Sequence, residues 1–344
     1  MAAPSRTQVL DSSVVSAIDT YLTTVPVDVI FEDNLLLSSV FNAGPSAGNQ
    51  GAVKSLYKAR PGNISRQNGR EVVIPVRYGR STNTKAFNRA DVVPLGIDDP
   101  ITMQRDGFAN YIDTFVLTWD ELQEVSGPQG VINLAQAKAD ACKQTLAETI
   151  EGDLWSTNNG TTTNPKEVLG IQFLIAEAPG TGVIWGINRA TYSWHQNQFT
   201  DATSAFSAGG LDDMRAMRVS TAGVSGVDKA SAIFTTPAVW QAYTKEAEDI
   251  HQITSGRTAE LGFEVAVYQG IPVVYSDQCV AGSMFFLNMK YMQLVLPGGG
   301  AFQVRTPANP ADQVIDLIRQ LIFRMQWGFQ RYDRQGVIFN YTDT

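Results

Sequence analysis

The stretch from Gly130 to Trp155 carries the one long helical signal in this 344-residue chain, and it constrains the fold more than any other segment. Ile132, Ala135, Ala139, Cys142, Leu146, Ile150 and Leu154 step by three or four and make one apolar stripe. Ser126-Gly127-Pro128 supplies an entry with an early proline, and Asn158-Asn159-Gly160 supplies the exit. A helix of about 25 residues is roughly 38 Å long at ~1.5 Å per residue. Ala135, Ala137, Ala139, Ala141 and Ala147 permit close approach of a sheet or a second helix. The segment reads as a structural spine.

The remainder predicts a mixed, α+β set of elements. Thr236-Pro237 opens a short helix with Trp240, Tyr243, Ala247 and Ile250 on one face and Thr236 as N-cap. A second short helix is expected around Leu211–Ser220. Strands are expected at Ala230–Phe234, Gly262–Tyr268, Pro272–Ser276, Ser283–Asn288 and Tyr291–Leu296, each bounded by glycine or polar breaks. Near the end, Leu321, Phe323, Met325, Trp327 and Phe329 face one way and Ile322, Arg324, Gln326 and Gln330 the other. Tyr332–Gly336 then turns the chain, so that Val337–Tyr341 returns as a partner strand. Val314–Ile322 fits helix or strand, and Val25–Leu37 forms an apolar patch in an otherwise loosely patterned N-terminal segment. There is no internal repeat.

Raw material for catalysis is scarce. His195 and His251 are the only histidines, and neither has a metal-spaced partner, so each is expected to be a hydrogen-bonded or surface residue. Cys142 and Cys279 stand outside any CxxC spacing and read as two buried reduced thiols. No G-x-S-x-G elbow or P-loop occurs, and the glycine run Pro297–Phe302 lacks the Lys-Ser/Thr of a phosphate loop, which leaves a mobile turn. Asp98-Asp99, Asp212-Asp213 and Glu246-Ala247-Glu248-Asp249 read as turns, helix starts or solvated faces. The expectation is a protein with no catalytic residue, cofactor or metal, and not an enzyme. The start MAAPSRTQVLDSSVV lacks a signal-peptide pattern, and no apolar run reaches membrane-spanning length, so folding in cytoplasm without a membrane partner is expected. Only 17% of residues are charged and 29 are glycine, a composition suited to a surface that ends up against other protein.

One segment breaks this pattern. Lys54, Lys58, Arg60, Arg66, Arg70, Arg77, Arg80, Lys85 and Arg89 face a single acid, Glu71, between Lys54 and Arg89. That is +8 inside a chain of formal charge -8, which leaves -16 elsewhere. Val72, Ile74, Val76 and Tyr78 share one strand face, and Pro75 cannot donate to a ladder, which suits an edge or a two-stranded arm. Lys54–Lys58 is the expected partner strand, with the tip between Arg60-Pro61-Gly62 and Asn68-Gly69. Three uses compete for such an arm: docking on the acidic surface of another copy, gripping nucleic-acid phosphates, or simple solvation. Sparse aromatic residues (Tyr57, Tyr78, Phe87) and a pI of about 4.9 weigh against nucleic acid.

The order of segments resembles the major capsid proteins of tailed bacteriophages, the HK-ninety-seven-type fold. The resemblance is carried by "GREVVIPVRYGRSTNTKAF" before the long helix "VINLAQAKADACKQTLAETIEGDLW", and continues in "ELGFEVAVYQGIPVVYSDQCVAGSMFFLN" and "RQLIFRMQWGFQRYDRQGVIFNY". The leading "PVDVIFEDNLLLSSVF" is similar to the family's N-terminal arm. The likeness is one of layout over nearly the whole chain and rests on no short invariant signature. It implies an N-terminal arm over 1–50, an extended E-loop over 51–91, a peripheral domain over 92–165 and 305–344, and an axial domain over 166–304. It further implies self-assembly into pentamers and hexamers, an icosahedral shell around double-stranded DNA that the acidic chain touches weakly and nonspecifically, and location in the virion. A separate scaffold protein, a portal and a cement protein are the implied partners. An encapsulin-like nanocompartment shares this fold and is the alternative; a soluble enzyme or binding module with a basic surface hairpin is the second. Some relatives crosslink through Lys–Asn bonds, but nothing here identifies the partner Asn or the catalytic acid, and no crosslink is expected.

Overall fold

The computed structural model describes residues 36–37, 64–89, 91–92, 96–124, 127–160, 166–223, 228–249, 266–298, 302–305 and 317–343. Most of the N-terminal segment, Lys54, Lys58, Arg60 and His251 lie outside these residues, as does the Gly299-Gly300 end of the glycine run. In chain order come β1 (Ile64–Gln67), β2 (Glu71–Arg77), β3 (Ile101–Gly107), β4 (Ala109–Leu117), α1 (Trp119–Glu124), α2 (Gly127–Leu154) and α3 (Ile171–Leu174). They are followed by β5 (Val183–Ile184), β6 (Ile187–Asn188), β7 (Gln198–Asp201), α4 (Gly210–Ala222), β8 (Ala232–Thr235) and α5 (Pro237–Asp249). The chain ends with β9 (Ala266–Tyr268), β10 (Ile271–Tyr275), β11 (Met284–Leu287), β12 (Met292–Pro297), β13 (Phe302–Arg305), β14 (Leu317–Phe329) and β15 (Gly336–Phe339). These elements sort into two compact units, and the chain passes between them several times.

The first unit comprises residues 1–68, 109–170 and 294–326. Its sheet is organised on β14, which pairs with β12 and β13, while β1 joins the outer edge of β12 in parallel. β4 adds an antiparallel ladder from Leu317↔Leu117 to Met325↔Ala109. The ambiguous stretch near Val314 is therefore strand from Leu317 onward. Leu321, Phe323, Met325, Trp327 and Phe329 are all buried, alternating with half-buried Ile322 and Arg324, whereas from Met325 onward both faces are buried, Gln326 and Gly328 included.

The spine helix is α2, beginning at Gly127, three residues earlier than its apolar pattern. Ala135, Ala139, Leu146, Ile150 and Leu154 are buried as the stripe requires, and Cys142 is half-buried. The helix packs on β4, where the Lys138 ammonium donates to the Val116 carbonyl at 2.8 Å and to Glu121 at 2.6 Å. Tyr111 of β4 fixes the exit of the helix: its hydroxyl donates to Asp153 at 2.8 Å and accepts from the Val168 amide at 3.0 Å. Gly170 lies so close to Ser156 that a Cβ would fall 1.9 Å from the Ser156 carbonyl oxygen.

Two polar residues interrupt the buried face of α2, Lys143 and Glu151. Glu151 has a visible task. Its carboxylate accepts the Leu36 amide at 3.2 Å, the Leu37 amide at 2.7 Å and the Trp155 indole N–H at 2.9 Å. Leu36 and Leu37, the two helical residues described in the N-terminal segment, are thereby held by the spine. Burial raises the carboxyl above its ordinary range, and these three donors act against that rise. Glu151→Ala is expected to cost about 3 kcal/mol in equilibrium urea unfolding, because three buried donors lose this acceptor. Glu151→Gln, which keeps one acceptor oxygen, is expected to lose less.

The second unit comprises residues 69–108, 171–293 and 327–344. Its main sheet has the order β7-β15-β11-β8-β10-β9, with β15–β7 and β10–β8 parallel and the other pairs antiparallel. Helices α4 and α5 cover one side, where Met214, Met217, Val239 and Tyr243 pack with Ile233, Val273, Met284, Phe286 and Ile338. Both helices fall where the sequence predicts them. Thr236 caps α5 through its backbone only: its carbonyl accepts the Trp240 amide at 2.9 Å, whereas its hydroxyl finds no partner among the described residues.

The closing strand departs from expectation. β15 pairs with β7 and β11 in the second unit, not with β14. The edges of β14 are already occupied by β4, β12 and β13. A 3-10 turn at Tyr332–Arg334 redirects the chain, and the buried Gln335 side chain accepts the Asn288 amide at 2.7 Å and donates to its carbonyl at 3.2 Å. That pair of bonds delivers β15 to the end of β11.

Candidate functional site

β2 pairs with β3, in register from Glu71↔Gly107 to Arg77↔Ile101, as a two-stranded antiparallel sheet. Among the described residues the partner of β2 is β3, joined to it by the 78–100 connection, and the expected partner Lys54–Lys58 lies outside the described residues. β3 escaped the sequence reading because it lacks an alternating apolar face. Ile101 and Met103 are exposed while Gln104 is fully buried. β2 behaves as its pattern requires: Val72, Ile74 and Val76 are buried, and Pro75 sits exposed in a strand with one partner among the described residues.

The new pairing changes the electrostatics. Between Glu71 and Gly107 the hairpin holds Arg77, Arg80, Lys85, Arg89 and Arg105, but also Glu71, Asp91, Asp98, Asp99 and Asp106. It is neutral, with its cations concentrated on the outgoing leg and its acids on the return leg. The basic run is also divided between units, since Arg66 lies in β1 of the first unit and Arg70 to Arg89 in the second. Arg66, Arg70, Arg77, Arg80, Lys85 and Arg89 are all exposed, and none forms an ion pair among the described residues. Arg77 Nε donates to the Gly79 carbonyl at 3.3 Å.

The tip is knitted by the acid of the return leg. Asp98 accepts the Ser81 hydroxyl at 2.8 Å, the Thr82 amide at 2.8 Å, the Thr82 hydroxyl at 2.7 Å and the Asn83 amide group at 3.1 Å. These donors, the Thr82 hydroxyl foremost, hold its carboxyl below the usual range. Asn83 also exchanges two bonds with the Gly96 backbone, at 2.6 and 2.9 Å. Around this knot three large apolar side chains stand in solvent: Phe87 at 74%, Val92 at 84% and Ile97 at 102% relative exposure. The segment spends its hydrogen bonds on itself and leaves these apolar groups outside.

The root of the hairpin is embedded in aromatic rings that no spacing in the sequence announced. Tyr78 stacks on Trp194 with centroids 5.4 Å apart. Trp194 meets His195 edge-on, and His195 meets Tyr332 at 4.5 Å. His195 is thus fully buried between rings and not at the surface. Arg189, also buried, lies over the Tyr332 ring and donates to the Leu174 carbonyl. Burial lowers Arg189 to about 10 and, with Arg189 close by, pulls His195 down to about 4. Burial likewise pushes the Cys279 thiol up to about 12 and Cys142 up to about 11, which keeps both protonated. Among the described residues no group of three or more His, Cys, Asp or Glu could hold a metal, and no helix is long and apolar enough to cross a membrane.

The His195 environment has a pH consequence. The folded protein refuses a proton that the unfolded chain takes near pH 6.5, so this stabilisation is complete above that pH and fades toward pH 4. Unfolding free energy is expected to fall by about 2–3 kcal/mol through this residue between pH 7 and pH 4.5. Urea titrations of wild type and His195→Phe at the two pH values check this; the variant's acid slope should be shallower by that amount.

No family model and no curated protein matches the chain. Solved structures do. The cyanophage A-1(L) capsid asymmetric unit aligns with a TM-score of 0.58 at 17% identity, over 81% of this chain and 90% of that one. The capsid of an empty GTA particle gives 0.54 at 10% identity, over 86% and 93%. The SrpI encapsulin complex of Synechococcus elongatus PCC 7942 gives 0.52 at 10% identity, over 87% and 98%. The three alignments span 81–87% of this chain and 90–98% of the other. The chain has the mixed helix-and-sheet fold of phage capsid proteins, which encapsulin shells share.

Proposed function

We propose that this protein is a major capsid subunit, a structural protein that assembles in many copies into pentamers and hexamers of an icosahedral shell around double-stranded DNA. The observation that carries this reading is the fold shared over 90% of the cyanophage capsid chain. In this reading the β2–β3 hairpin is the E-loop-like arm, residues 166–304 supply the axial domain, and α2 with β14 belongs to the peripheral domain. A scaffold protein, a portal and a cement protein are its further partners, and the assembled virion is its location. The net charge of -8 suits a wall that holds DNA without trapping it.

The arm is the element that engages another copy. Its neutral charge moves the driving force from a cationic patch to the apolar tip, so docking draws on burial of Phe87, Val92 and Ile97. Each such side chain contributes roughly 1.5–3 kcal/mol when fully buried. The two legs of opposite charge then orient the docked arm more than they attract it.

An encapsulin-like compartment is the second reading, favoured by the SrpI match over 98% of that chain. Contents separate the two: nuclease-protected double-stranded DNA in particles from the native source supports the capsid, and a protein cargo supports the compartment. The arm is tested by sedimentation and negative-stain microscopy of two variants. Phe87→Ser/Val92→Ser/Ile97→Ser is expected to leave the subunit folded and to abolish closed shells. Arg70→Glu/Arg77→Glu/Arg80→Glu is expected to slow or misdirect assembly while still yielding some shells. Normal shells from the apolar triple variant would contradict the role given to the tip.

A further inference from the structure

We infer that the Tyr78–Trp194 ring stack is the seat that sets the direction of the β2–β3 arm. Tyr78 follows the last rung of the ladder, Arg77↔Ile101, and it ties three things together. Its amide and that of Gly79 share the Pro100 carbonyl, at 3.0 and 3.3 Å. Its hydroxyl donates to the Asp99 carbonyl at 2.8 Å. Its ring lies on Trp194 with an interplanar angle of 18°. One side chain therefore clamps both legs of the arm at the neck and seats that neck on the body of its own unit.

Below the neck the root is held firmly. Gln104 Nε2 donates to the Phe329 carbonyl at 3.4 Å, and the Arg105 amide donates to the Trp185 carbonyl at 3.0 Å. That carbonyl belongs to a two-residue turn between β5 and β6 in which Trp185 and Gly186 have φ of 51° and 76°. A bulky residue at positive φ is strained, and such turns ordinarily take Asn or Gly at this position. Here the indole is accommodated by Gly328, where a Cβ would come 2.7 Å from its Nε1. The strain is retained where the turn meets β3. Above the neck, the tip hydrogen bonds already described are internal to it. A hairpin of two strands is marginal alone, so its orientation must be imposed from its root. The half-exposed stack lies at the outer end of that root, and aromatic pairs of this geometry contribute energy beyond the area they bury. The neck, with Gly79 opposite Pro100, is where the arm swings once the stack is lost.

The consequence for assembly rests on the capsid reading; the seat itself does not. Spin labels carried by unnatural amino acids at positions 85, on the tip, and 216, on the exposed face of α4, report the arm's direction in the full-length unassembled chain. Wild type and Tyr78→Phe are expected to give one narrow distance distribution by double electron–electron resonance. Tyr78→Ala, a change at a half-exposed site, and Trp194→Leu are expected to broaden it at least twofold with circular dichroism unchanged. Equal widths in wild type and Tyr78→Ala would overturn the inference, as would a Tyr78→Phe distribution as broad as that of the alanine variant. Should Trp194→Leu fail to fold, the two Tyr78 variants decide alone. Absence of particles from the unaltered protein would refute the shell reading and leave the distance result standing.

Discussion

The alternation of β14 is the constraint on which the rest depends. Thirteen residues run as one strand, and the five large apolar side chains from Leu321 to Phe329 all turn to the buried side. Because side chains alternate, a slip of one residue would turn Leu321, Phe323 and Met325 toward the half-buried face of Ile322 and Arg324 and bring Arg324 to the buried side. The ladder to β4 fixes that register, and β4 in turn carries the spine helix. The final residues of β14 belong to the second unit, where Phe329 accepts the Gln104 side chain of the arm's root. One strand thus helps to define the core of the first unit and the footing of the arm in the second.

That footing explains why an arm with so little of its own core has a defined geometry. Burial of Val72, Ile74 and Val76 anchors one leg, and two hydrogen bonds from Gln104 and Arg105 anchor the other. The ring series from Tyr78 to Tyr332 continues the anchorage into the interior. Beyond it the tip is polar inside its own loop and apolar outside, the reverse of an ordinary surface turn. In the proposed shell, that arrangement leaves part of the apolar burial to be completed by an adjacent copy.

How much of this was legible depended on whether a pattern was local. The spine helix, α4, α5 and the alternating face of β14 were readable because their periodicity is repeated over several turns or rungs. Pro75 lies in a strand that has one partner among the described residues, as its missing donor suggests. The partner of β2 was not readable, since Ile101 and Met103 are exposed and the buried position is a glutamine. Taking the nearest turn signals as the hairpin tip made the arm look cationic, and the return leg with Asp91, Asp98 and Asp99 was left out of the balance. The destination of β15 was equally hidden, because it is set by occupied edges on β14 and by the side chain of Gln335. Glu151 carries no signal in the sequence, and His195 is expected from it to be hydrogen-bonded or at the surface. One proves to hold the Leu36-Leu37 backbone and the other to lie between rings, and both facts depend on contacts distant in sequence.

The most direct measurement is a cryo-electron microscopy reconstruction of the protein under assembly conditions, with the arm traced from Arg77 through the tip to Ile101. The account predicts closed icosahedral particles in which Phe87, Val92 and Ile97 are buried against an adjacent copy. A monodisperse monomer or dimer under all conditions would contradict it, and so would a shell in which the tip lies free in solvent.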